Sequence, residues 1–197
     1  MTELVRSFIA IELPDEIKTA LAGLRDELKR GRADCVKWVE PRVIHLTLKF
    51  LGNVKAESLG AVAQAMHRAA AEVAPFSVAV TNLGVFPSLR RIRVIWVGLT
   101  GDLEELQKLQ QAVERHVRPL GFPTEARAFT PHLTIARVRE GASPGEQRAL
   151  CQAVSTTSFP GEHSFAVRDI SLMRSQLTRG GAVYSRLESA RLGTPPA

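Results

Sequence analysis

The 197-residue sequence predicts a mixed fold of strands and helices, arranged as two similar lobes about a pseudo-twofold axis. A strand-helix-strand-helix order occurs twice along the chain, first from Phe8 and again from Val94. The offset between the copies is nearly constant, since Phe8 and Val94 stand 86 residues apart and His45 and His132 stand 87 apart. That period is too long for a solenoid repeat, and no glycine-serine or proline-rich linker separates the halves. One domain over 1–197, made of two interleaved lobes, is therefore expected.

The elements follow in order. After a short leader, Phe8-Ile9-Ala10-Ile11-Glu12-Leu13 is an apolar run of strand length. Pro14 stands where a first helical residue is expected, Ile17, Leu21, Leu24 and Leu28 then fall on one helical face, and Gly31 is the stop signal. Trp38-Val39-Glu40-Pro41 leads into Val43 to Phe50, where apolar and polar residues alternate as in a strand with one polar face, before Gly52-Asn53 ends the run. Leu59, Val62, Met66, Ala70 and Val73 mark a second helix, closed by Pro75. A strand from Phe76 to Leu83 and a loop from Gly84 to Leu89 lead to the apolar strand Val94 to Leu99. Asp102 is placed to cap a helix whose face is Leu103, Leu106, Leu109, Val113 and Val117, and a strand from Phe129 to Val138 follows. Ser143-Pro144-Gly145-Glu146 has the form of a capping box, which predicts a fourth helix carrying Leu150 and Val154. Ser164 to Leu177 and Ala182 to Leu187 flank Thr178-Arg179-Gly180-Gly181, a closing hairpin with a glycine turn.

A hydrophobic fraction of 45% over this length is enough for a proper core. The start lacks the basic, apolar pattern of a secretory signal, and no apolar run approaches the roughly 18 residues of a membrane span. A soluble, cytoplasmic monomer is expected. Cys35 and Cys151 are far apart and without a partner pattern, which supports neither a disulfide framework nor a zinc ligand set. The net charge of +6 favours contact with a polyanion, because cations that neutralise phosphates gain affinity through counterion release.

The chemistry is expected at His45-Leu46-Thr47 and His132-Leu133-Thr134. Residues two apart in a strand point to the same side, so each half presents one imidazole and one hydroxyl while Leu46, Leu48, Leu133 and Ile135 anchor the opposite face. Opening a phosphodiester requires one proton taken from the attacking oxygen and one given to the leaving oxygen, and two histidines near neutral pKa can hold those opposite states. Thr47 and Thr134 are suited to stabilise charge on the non-bridging oxygens. A single His-x-Thr is an ordinary strand pattern. Two copies in equivalent positions, each after a proline (Pro41 and Pro131), make a site. No metal or other cofactor is expected, since zinc needs three or four protein ligands and neither strand carries a second His, Cys or Asp. No Gly-x-Ser-x-Gly elbow marks a serine hydrolase.

Arg137 is a candidate phosphate contact, although alternation puts it on the face opposite His132 unless the strand bulges, and Lys49 is a weaker one. Arg90-Arg91-Ile92-Arg93 reads as a solvated loop or an edge-strand guard, with contact to RNA backbone as the sharper alternative. Arg174-Ser175-Gln176 is placed to border the cleft. Phe50, Phe86 and Phe129 are expected in the core, with stacking on a base as the alternative, and His67, His116 and His163 at the surface on a helix, a helix end and a loop.

Taken together, Arg6 to Ile11, His45-Leu46-Thr47-Leu48-Lys49-Phe50-Leu51-Gly52, Phe86-Pro87 with Arg93 to Trp96, Phe129 to Arg137 and Arg174-Ser175 resemble the 2H phosphoesterase superfamily. Within it they are similar to the RNA 2′,3′-cyclic phosphodiesterases, or 2′-5′ RNA ligases of the LigT type. The resemblance implies a two-lobed α+β fold with antiparallel sheets lining a central cleft. It also implies hydrolysis of a terminal 2′,3′-cyclic phosphate on RNA to a 2′-phosphate, with His45 as proton donor and His132 as the acceptor that activates water. RNA with such an end, tRNA halves among them, would be the partner, and 2′-5′ ligation is a further activity of the family. Two rivals stay open at this point. One is a relative acting on another substrate, such as ADP-ribose cyclic phosphate or a 2′-5′ oligonucleotide; the other is a non-catalytic RNA-binding protein.

Overall fold

The computed structural model describes residues 3–30, 35–159, 161, 163–178 and 181–193. Nine strands and four α-helices form among the described residues: β1 (Leu4–Glu12), α1 (Asp15–Lys29), β2 (Val36–Trp38), β3 (His45–Lys55), α2 (Leu59–Ala71), β4 (Phe76–Ser88), β5 (Arg91–Gly101), α3 (Leu103–Val117), β6 (His132–Val138), α4 (Pro144–Thr156), β7 (His163–Val167), β8 (Asp169–Thr178) and β9 (Gly181–Arg191). They make two antiparallel sheets, β3-β1-β8-β9 and β2-β6-β5-β4-β7.

The two orders correspond: β3 to β6, β1 to β5, β8 to β4 and β9 to β7, with β2 added outside β6. The halves also exchange strands. After α2 the chain crosses to place β4 beside β5, and after α4 and β7 it crosses back to place β8 beside β1. Each sheet is thus completed by a strand from the other half.

The apolar faces read from the sequence are the buried ones. Ile17, Leu21, Leu24 and Leu28 of α1, Val62, Met66 and Ala70 of α2, and Leu106, Leu109, Val113 and Val117 of α3 are all nearly inaccessible to solvent. Burying a side chain of that size stabilises the fold by about 1.5–3 kcal/mol each. The helix α2 packs on α3 and against β8 and β9, whereas α3 also meets β3 and β4 and α4 lies on β5. Ser143 accepts from the Glu146 backbone N–H while the Glu146 carboxylate accepts from the Ser143 N–H, so the expected capping box is formed.

Several expectations are corrected. The segment from Gly84 is strand, not loop, and continues β4 to Ser88. Ser164 to Leu177 is two strands in different sheets, β7 and β8, and His163 opens β7 instead of lying in a loop. Val43 belongs to a short 3-10 turn, Pro41–Val43, and Phe129 to Pro131 precede β6, so both motif strands begin at their histidines. Pro14 precedes the helix by one residue, and α2 ends at Ala71, before Pro75. The Asp102 side chain accepts from the Ser77 backbone N–H at 2.9 Å instead of capping α3, and Leu103 of that helix is partly exposed. The short strand β2 had no alternating signal. Gly31, Arg179 and Gly180 lie outside the described residues, but Thr178 pairs with Gly181 across the closing turn.

Candidate active site

The two His-x-Thr strands, β3 and β6, approach within 8 Å of each other between Cα atoms. Each carries a β-bulge at the same place. In the first sheet Glu12 faces His45, Ala10 faces Thr47, Ile9 faces Lys49 and Phe8 faces Phe50, which leaves Leu48 extra. In the second sheet Gly98 faces His132, Trp96 faces Thr134, Ile95 faces Ala136 and Val94 faces Arg137, which leaves Ile135 extra. The burial sequence is identical over seven residues in both: half-buried, buried, half-buried, buried, buried, exposed, buried.

One inserted residue reverses the alternation beyond it. Phe50 and Arg137 therefore share the face of their own His and Thr. This corrects the reading of simple alternation for Arg137. It also corrects Phe50, which is 61% exposed on that face and not in the core. Lys49 is turned inward by the same bulge: its ammonium donates to the Glu114 carboxylate at 2.9 Å and to the Pro123 carbonyl, with both charged side chains buried. It does not reach the histidine face.

The two imidazoles are held alike. His45 Nδ1 lies 2.9 Å from the Val43 carbonyl, and His132 Nδ1 lies 2.7 Å from the Thr130 carbonyl. A carbonyl only accepts, so Nδ1 carries the proton in both rings, and Nε2 is left to exchange a proton with a ligand. His45 stacks on Phe8 at 4.5 Å between centroids and meets the edge of Tyr184 at 5.0 Å. His132 is walled by Phe86 at 5.1 Å and Trp96 at 6.3 Å. Burial among these rings pushes His45 below its ordinary histidine value, against the opposing pull of the Val43 carbonyl and the Glu12 charge. The Thr47 and Thr134 hydroxyls are half-buried and have no protein hydrogen-bond partner among the described residues.

Residues that pattern alone did not single out complete the walls. Glu12 stands opposite His45, accepts from the Ser171 hydroxyl at 2.6 Å, and has Arg186 at 3.5 Å. Phe8, Ala10, Met173 and Tyr184 form a small apolar cluster on this face, separate from the main core. Trp96 lies across Gly84, where an added Cβ would fall 2.2 Å from the indole, so only glycine admits the ring there. For Glu12, Ala10, Phe8 and Trp96 the usable signal was partnership, since they pair directly with the two motif strands, whereas Met173 and Tyr184 lie on strands further across the sheet.

Of the other candidates, Phe86 joins the His132 wall and Phe129 is partly buried against the core. Arg174 lies 3.6 Å from Glu3 and pairs with Ser7, on the face away from Phe8, while Ser175 stands opposite Tyr184. The Arg90 to Arg93 cluster spans a hairpin tip and enters β5, which is a central strand and not an edge. His67 lies near Glu188 and His116 near Glu72 on the helices, away from both motifs. Cys35 is buried and Cys151 half-buried, both unbridged. Among the described residues no group of three His, Cys, Asp or Glu is placed to hold a metal ion, and no helix is long and apolar enough to cross a membrane.

The comparisons with known proteins match this architecture. The family model described as LigT like Phosphoesterase matches the chain twice, over residues 11–96 and 97–184, one match for each half. An RNA 2′,3′-cyclic phosphodiesterase of Methanothermobacter thermautotrophicus is 33% identical over 188 residues, covering 95% of this chain and 99% of the relative. A protein of the same name from Aquifex aeolicus is 33% identical over 80% of this chain and 82% of its own length. Among solved structures, TT0787 of Thermus thermophilus superimposes with a TM-score of 0.79 at 28% identity, covering 95% of this chain and 98% of that one. Escherichia coli LigT complexed with 3′-AMP gives 0.76 at 28% identity, covering 96% and 99%. With its duplicated halves, matching bulges and paired histidines, the chain belongs to the LigT-like phosphoesterase family.

Proposed function

We propose that the protein hydrolyses 2′,3′-cyclic phosphate ends of RNA to 2′-phosphomonoesters by acid-base catalysis between His45 and His132, without a metal. The observation that carries this reading is the equivalence of the two half-sites: each offers one Nε2 with Nδ1 fixed on a backbone carbonyl, and one uncommitted threonine hydroxyl on the same face. The relatives named RNA 2′,3′-cyclic phosphodiesterase support the choice of substrate.

In the reaction the attacking water and the leaving 3′ oxygen lie on opposite sides of phosphorus, which suits one histidine on each side. His132 takes a proton from water as the oxygen attacks phosphorus, and His45 gives a proton to the 3′ oxygen as its bond to phosphorus breaks. The 2′ oxygen keeps the phosphate. Charge on the non-bridging oxygens is stabilised by the Thr47 and Thr134 hydroxyls, at about 2–4 kcal/mol for each well-placed donor. Arg137, brought to this face by its bulge, binds phosphate.

The test is an oligoribonucleotide ending in a 2′,3′-cyclic phosphate, incubated with the protein in excess EDTA. The expected product is the 2′-phosphate alone. Loss of turnover on chelation, or a 3′-phosphate product, overturns the proposal.

A further inference from the structure

The bulge in β6 does more than bring Arg137 beside Thr134. In the adjoining strand Lys37 of β2 stands directly opposite Arg137, so the two cations share a face, and both are exposed. Like charges directly opposite on neighbouring strands repel and cost stability. Neither has an acidic partner among the described residues. On the other side of β6, Val94 of β5 faces Arg137 and Phe86 faces Val94; two residues beyond Phe86, Ser88 faces Arg91. Arg91 is therefore also on the histidine face, is exposed, and is likewise without an acidic partner among the described residues.

Along the β5-β6 pair the order on this face is His132, Thr134, Arg137 and then Arg91, with Lys37 alongside Arg137. Three uncompensated cations lead away from His132 on the second sheet, against Arg6 alone on the corresponding face of the first. The matching row of the other sheet is Phe50, Phe8 and Met173, with Arg186 at its far end already near Glu12. Pseudo-symmetry thus holds for the histidines and threonines and fails one step beyond them. A repulsive pair such as Lys37 and Arg137 is relieved when an anion lies between its members.

Resting on the function proposed above, we infer that the substrate is an oligonucleotide strand whose cyclic end meets Arg137 and whose preceding phosphates run outward over the second sheet on Lys37 and Arg91. The site then prefers a polynucleotide end to a free cyclic mononucleotide, and the strand has one direction across a nearly symmetric cleft. Arg6 supplies the internal control. It lies on the histidine face of the first sheet, two residues before Phe8, and so marks the opposite exit.

The experiment compares kcat/KM for uridine 2′,3′-cyclic phosphate and for hexauridylate with the same end, at low and moderate salt. Binding of a hexauridylate ending in a 3′-phosphate is read in parallel by fluorescence anisotropy. The wild-type protein is expected to favour the hexamer by about tenfold or more at low salt. Three phosphate contacts to a single strand give a slope of log affinity on log salt near −2, at about −0.7 each. The double variant Lys37→Gln/Arg91→Gln is expected to lose most of the hexamer preference and about 1.4 of that slope, while Arg6→Gln keeps both. A hexamer preference absent in the wild type, or abolished by Arg6→Gln and kept by the double variant, overturns the inference. Absence of turnover on either substrate with the anisotropy pattern intact sinks the hydrolytic reading and leaves the strand path standing.

Discussion

At the scale of single residues, the site depends on backbone carbonyls as much as on side chains. The Val43 and Thr130 carbonyls fix which nitrogen of each imidazole carries its proton, and each belongs to the residue two before its histidine. His45 is set apart from its counterpart by the close stack on Phe8 and the edge of Tyr184, and burial there favours the neutral ring. In the free protein its titration, followed by NMR of the ring carbons, is expected to lie below the ordinary histidine value of about 6.5 and to move upward when inorganic phosphate is added. The direction follows from charge: desolvation penalises the imidazolium, and a nearby anion favours it. A midpoint at or above the ordinary value, or no response to phosphate, contradicts this setting. His45 is the proton donor of the proposed mechanism and must carry its proton to act, so the alkaline limb of kcat/KM is expected to set in below the ordinary histidine value.

At the scale of elements, the bulges decide which side chains share a face with each histidine and threonine, and they mark the boundary of what the sequence could tell. His45, Thr47, His132 and Thr134 were legible because a period of two held up to them, and the repeat raised each weak motif to half of a site. Phe50 and Arg137 were not legible in the same way, because one extra residue reverses the alternation and no residue type announces a bulge. The run from Gly84 to Ser88 looked like a loop because glycine and proline interrupt it, whereas Gly84 is the place where the Trp96 indole lies down on β4. Lys49 is the inward half of the first bulge, and its buried pair with Glu114 ties β3 of one half to α3 of the other. Removing one partner leaves a buried charge uncompensated, so Lys49→Ala is expected to cost about 3–5 kcal/mol in urea denaturation, whereas Lys49→Met/Glu114→Leu recovers most of that loss. Equal stability of the single variant and the wild type would show that the pair does not hold the strand.

At the scale of the whole molecule, duplication with strand exchange explains how two motif strands far apart in sequence come within 8 Å of each other. Because β4 and β8 each complete the opposite sheet, neither sheet can form from one half alone, and the two motif strands are fixed relative to each other by the same hydrophobic core. The strand-helix periodicity made the duplication visible in the sequence, but the exchange was not, since nothing local specifies which sheet a crossing strand joins. The proposed function rests on the combination: two equivalent histidine-threonine pairs, and surroundings that differ between the sheets one residue step further out. The proposed mechanism makes the two histidines act as a unit, and the most direct measurement is kcat/KM on a cyclic-phosphate RNA end for His45→Ala, His132→Ala and the double variant. Each single substitution is expected to lower it by about a thousandfold or more, and the double variant is expected to be scarcely worse than either, because losing one proton-transfer partner already disables the other. A single variant that keeps activity within about tenfold of the wild type, or losses that multiply in the double variant, would contradict it.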